Sequence, residues 1–130
     1  MGSNDSRIKI ALNQLQTALE QYRESDLAPN LRLLLLTKAF EVLVEEGWKE
    51  LKRIIEDEGN SADSPKEAVR EAAKLDLIGD PELWIKAINS RNLSVHNYYA
   101  LSEKDFAALA KDFLAEAKAV FIKNKKTKKS

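Results

Sequence analysis

The sequence contains no cysteine, which excludes a disulfide framework and any thiolate-based metal site. It contains a single histidine, His96, so no pair of imidazoles can grip a metal at helical spacing, and only carboxylates are left as ligands. Neither a metal nor a cofactor is therefore expected. No apolar run reaches the ~18 residues of a membrane span, and the opening Met1-Gly-Ser-Asn-Asp-Ser6 has no basic stretch leading into an apolar one. The expectation is a chain without span or secretory signal, cytoplasmic by default. Glycine and proline are scarce, at four and three in 130 residues, so the chain has little punctuation beyond a few helix ends.

What is present is a chain 44% hydrophobic, enough at this length to bury about two-thirds of its unfolded surface in one core. Its formal charge is zero, but unevenly spread. The last eight residues hold five lysines and no acid, leaving 16 basic against 21 acidic residues in 1–122. We expect a single domain over 1–122 and a disordered basic tail over 123–130. A mildly acidic body offers RNA no broad basic surface, so any phosphate must be met locally, by the tail or by a partner.

Apolar residues recur at helical spacing throughout, and no strand pattern appears. Ile8, Leu12, Leu15, Leu19 and Tyr22 predict a helix from Arg7 to about Glu24. A turn around Pro29 leads into a long second helix, about Leu31 to Glu58, stopped by Gly59. Leu31, Leu33, Leu34, Leu35 and Leu36 make the start of that helix apolar on more than one side, which fits either a central place in the bundle or a homodimer interface. Residues 59–64 read as a polar, mobile loop, after which Ser64, Pro65 and Glu67 spell a capping box. The short third helix should run to about Leu77 and stop at Gly79; Asp80-Pro81 starts a fourth, with Leu83, Trp84, Ala87 and Ile88 inward. Ser102 and Asp105 cap a last helix striped by Phe106, Leu109, Phe113, Ala117, Val120 and Phe121. The predicted fold class is all-α, an antiparallel four-helix bundle with one short additional helix. Trp48 and Trp84 read as its buried anchors.

Residues that can move a proton or hold a phosphate gather at the end of the fourth helix: Arg91, His96, Tyr98 and Tyr99, with amides at Asn92 and Asn97. Five residues turn a regular helix through about 140°, so Arg91 and His96 do not stack on one face. They converge only if the helix ends near Asn97, or if a second copy supplies the partner across a two-fold axis. On the second helix Glu41, Glu45, Trp48 and Lys52 share a face. Either Glu45 pairs with Lys49 at i+4, worth about 0.2–0.5 kcal/mol, while Glu41 is hydrated, or one of Glu41 and Glu45 faces Arg91 and orients it.

The segment Arg91-Asn-Leu-Ser-Val-His96-Asn-Tyr98 resembles the R-x4-H-x-Y signature of HEPN domains, small helical proteins often encoded beside a minimal nucleotidyltransferase. Phe40-Glu41 through Glu45, Trp48-Lys49, Leu51 and Lys52 resemble the F-E-x-x-x-E-x-x-W-K-x-L-K run of that group's nucleotidyltransferase substrate-binding, HepT-like branch. The likeness covers about residues 7–122 and departs from the family's pattern at Gly47, Ser90 and Tyr99-Ala100. It implies a HEPN-like bundle, usually a homodimer, with Arg91 and His96 catalytic and Asn92 and Glu45 in support.

A histidine near its ordinary pKa can take a proton from a ribose 2′-hydroxyl while an arginine holds the phosphate, which permits RNA cleavage without a metal. One chain has no second histidine to protonate the leaving 5′-oxygen; a dimer would supply it. The resemblance therefore implies a ribonuclease toxin, a metal-independent endoribonuclease neutralised by a nucleotidyltransferase antitoxin that attaches AMP to Tyr98. It equally accommodates a non-catalytic substrate-binding subunit of that nucleotidyltransferase, and a helical dimer without activity stands beside both.

Overall fold

A computed structural model describes residues 3–24, 26–96 and 102–123, and side chains from Arg7 to Arg91 (except residue 25) and from Ser102 to Ile122. Five helices follow one another: α1 (Ser3–Glu24), α2 (Pro29–Asp57), α3 (Pro65–Lys74), α4 (Pro81–His96) and α5 (Glu103–Lys118), the last continuing into a π-helical turn, Ala119–Lys123. No strand occurs among the described residues. The all-α bundle read from the periodicity is the observed fold.

Helix α1 packs between α2 and α5, α4 closes the other side against the same two helices, and α3 rests on α2 and α4. The helix ends meet as an antiparallel bundle requires. Tyr22 near the end of α1 touches Arg32 near the start of α2 and Glu103 at the start of α5, and Glu116 late in α5 touches Gly79 and Asp80 just before α4. The centre is a file of rings meeting edge to face: Phe106 on Phe40 at 5.0 Å, Phe40 on Phe113 at 6.0 Å, Phe113 on Trp84 at 4.8 Å and Trp84 on Phe121 at 6.1 Å. Each such pair contributes about 0.5–1.5 kcal/mol beyond its area. Trp84 is fully buried; Trp48 is only half-buried at the edge of the core, so just one of the two expected anchors is a core residue.

Local chemistry explains most of the ends. Helix α2 begins two residues earlier than expected because Pro29 sits at its first position, where its missing N–H is no loss. It closes with Gly59 at φ +92 and the Asn60 N–H on the Ile55 carbonyl, the six-to-one bond of a Schellman ending. Helix α3 ends at Lys74, short of the expected Leu77, because Asp76 takes the left-handed conformation (φ 61) and Leu77 N–H reaches back to Ala72 O. An aspartate tolerates that region better than most side chains, so the stop comes before Gly79. Ser64 caps α3 through Glu67 N–H, but the Glu67 carboxylate accepts from Asp63 N–H rather than from the cap residue itself. The 59–64 loop is also more tied down than its composition suggests: Ala62 is buried and its carbonyl takes the Lys52 ammonium at 2.8 Å. Tyr98, Tyr99 and most of the basic tail lie outside the described residues, so the boundary at 122 remains an expectation.

Candidate functional site

Helix α4 carries the candidate residues Arg91 and His96, and its position is set at its root. Asp80 Oδ1 accepts from Leu83 N–H at 3.1 Å, capping the helix. A single oxygen of Glu116, from α5, accepts from Gly79 N–H at 2.9 Å, Asp80 N–H at 3.1 Å and the Trp84 indole N–H at 3.1 Å. The buried stripe Trp84, Ala87 and Ile88 then faces the core, with Ser90 also buried. Arg91, one residue on, emerges half-buried at the groove between α4 and α2.

There it meets Glu45. The Arg91 Nη2 lies 3.1 Å from Glu45 Oε1, and the other oxygen of the same carboxylate lies 3.2 Å from Lys49 Nζ. The two roles weighed for Glu45 thus hold together, because a carboxylate offers an oxygen to each partner. Of the two acids considered as the arginine's partner, Glu45 makes this ion pair; Glu41, one turn earlier, is half-buried on the same helix.

Helix α4 is continuous through His96. Five residues of unbroken helix separate the two backbone positions by about 140° around the axis. The side chains of Asn92 and His96 lie outside the described residues, as does Tyr98. Among the described residues no three acidic or histidine side chains are placed to hold a metal ion, and no helix is long and apolar enough to cross a membrane.

The bundle end from which α5 sets out is pinned by a second contact that the sequence did not announce. The Tyr22 hydroxyl donates to Glu103, and Arg32 Nη1 donates to the Tyr22 carbonyl at 3.0 Å. Burial and then the bond to Glu103 push the Tyr22 phenol up to about 12, with Arg32 pulling slightly the other way. Both this tether and the Glu116 clasp join residues more than 30 positions apart, which no local pattern signals.

On the outer face of the first half of α2, Leu31, Leu34 and Leu35 are 46, 59 and 46% exposed while Leu36 is buried. Leu31, Leu34, Glu45 and Lys49 fall on one stripe of that helix, so the exposed leucines and the Arg91 groove share a surface.

A family model described as "Nucleotidyltransferase substrate binding protein like" matches residues 4–126. No curated protein matches the chain. In fold the chain is similar to the tri-AMPylated HEPN toxin of Shewanella oneidensis, solved in complex with MNT antitoxin, with a TM-score of 0.74 and 14% identity over 93% of this chain and 96% of that one.

Proposed function

Since this chain belongs to the nucleotidyltransferase substrate binding protein like family, we propose that it is the HEPN ribonuclease toxin of a toxin–antitoxin pair, cutting RNA without a metal at a homodimer cleft. The observation that carries this reading is the Arg91–Glu45 pair. A half-buried guanidinium paired with a carboxylate is pre-aimed to meet a phosphate, the arrangement that electrostatic stabilisation of a phosphorane needs.

In the reaction His96 takes the proton of a ribose 2′-hydroxyl and the freed oxygen attacks the adjacent phosphorus. The bond to the 5′-oxygen breaks, leaving a 2′,3′-cyclic phosphate, and the partner subunit's His96 returns a proton to the departing oxygen. Arg91 offsets the charge that grows on the phosphoryl oxygens, and Asn92, the next residue in the motif, supports it. The exposed Leu31, Leu34 and Leu35, about 15–21 Å along α2 from Glu45, support the dimer.

Neutralisation follows from the same site. The solved HEPN toxin of similar fold is AMPylated and bound to an antitoxin of the MNT type. Here a cognate nucleotidyltransferase joins the Tyr98 oxygen to the α-phosphorus of ATP, pyrophosphate leaves, and the added charge and bulk fill the place of the RNA phosphate. The site of action in this reading is the cytoplasm.

The family's description favours a second reading, a non-catalytic subunit that presents substrate to a nucleotidyltransferase. Incubation of total RNA with the purified protein in chelator separates them. Cleavage by wild type, lost in folded Arg91→Ala and His96→Ala, is the expected result; no cleavage by wild type, or equal cleavage by the His96 variant, would leave the accessory reading. Intact-mass spectrometry after co-expression with the nucleotidyltransferase should find AMP on Tyr98, and an increment on Tyr99 instead would correct the register.

A further inference from the structure

We propose that Lys49 is a second phosphate-binding residue of the RNA site, contacting the backbone phosphate next to the one held by Arg91. This rests on the ribonuclease reading above and adds the track along which the strand lies.

Lys49 and Arg91 sit on the two oxygens of one carboxylate, at 3.2 and 3.1 Å. Their cationic nitrogens are therefore within roughly 9 Å of each other, a span of the order of that between successive phosphates of an extended strand. The two side chains differ in depth. Lys49 is 54% exposed against 34% for Arg91 and 33% for Glu45, so the lysine stands at the rim and the arginine inside. Lys49 and Arg91 set two cations on one carboxylate, on a body whose balance over 1–122 is acidic, 16 basic against 21 acidic residues. Such a body needs a local cationic track if it is to hold a polyanion at all.

An exposed Glu-to-Lys pair at i+4 is weak, so Glu45 parks Lys49 without trapping it. When the ammonium swings to a phosphate, Glu45 keeps its bond to Arg91 and still orients it. Arginine suits the inner place, where its planar fork can grip two oxygens of the reacting group; a flexible ammonium suits the outer one, where only charge is needed.

The test uses His96→Ala protein, which binds without cutting, and fluorescence anisotropy of a labelled single-stranded RNA across a salt series. Adding Lys49→Gln should weaken binding at low salt and lower the slope of log K against log salt by about 0.7, the signature of one lost phosphate contact on a single strand. Lys49→Arg should restore both. Salt-dependent binding whose slope is the same with and without Lys49→Gln would overturn the proposal while leaving the ribonuclease reading intact. No salt-dependent RNA binding by the His96→Ala protein would overturn both.

Discussion

Substitution of Glu45 should separate the proposed activity from stability. The Arg91–Glu45 pair is about one-third exposed on both sides, so breaking it should cost under about 1 kcal/mol. In Glu45→Gln the denaturant midpoint should therefore barely move, while RNA cleavage falls because Arg91 is no longer aimed; equal cleavage by the variant would remove Glu45 from the site. Gly47 behaves in the opposite way. A helix-interior glycine ordinarily gains about 1 kcal/mol on change to alanine, but here an added Cβ would meet the fully buried Trp84 ring at 3.2 and 3.3 Å. Overpacking of that kind costs about 1–3 kcal/mol, so Gly47→Ala should be net destabilising by up to about 2 kcal/mol in chemical unfolding. Trp84→Ala should cost about 3–5 kcal/mol and Trp48→Ala clearly less, since Trp48 is only half-buried. The departure from the family's pattern at Gly47 was visible in the sequence, whereas its cause, a ring arriving from another helix, was not. Nor could spacing on α2 decide between Lys49 and Arg91 as the partner of Glu45, because one candidate is local and the other is supplied by the fold.

At the scale of the helices, ends were legible wherever a cap and its partner lie within a turn, as at Ser64, Asp80 and Ser102. The end of α3 was misread because Asp76 adopts positive φ without a glycine to advertise it. Asp76→Val should consequently lower the melting temperature well below that of Asp76→Gly, since a β-branched side chain is strained there. The tether between α1 and α5 gives a pH signature. With its folded pKa raised to about 12 from an ordinary 10, Tyr22 holds its proton more tightly in the folded state. Its stabilisation is present below about pH 10 and lost as pH rises towards 12. Tyr22→Phe should remove that alkaline component from the unfolding profile, and an unchanged profile would place the tyrosine free in solvent.

For the whole molecule the expectation is a dimer of a 14.7 kDa chain. Leu34→Glu, at the most exposed of the three α2 leucines, should give a monomer by light scattering with its helical circular dichroism preserved and its RNA cleavage gone. A monomeric wild type, or a dimeric variant, would move the interface elsewhere. The clasp at Glu116 has a mechanical consequence for such an assembly. Helix α4 is a lever 16 residues long, about 24 Å, whose fulcrum is one carboxylate oxygen and whose tip is His96. A tilt of about 5° at the fulcrum carries the tip by about 2 Å, and proton transfer tolerates heavy-atom separations of only about 2.6–3.2 Å. The amplification runs one way: a slight loosening at Gly79 or Glu116 reaches His96 enlarged, so in the proposed ribonuclease catalytic power would drift through residues outside the motif.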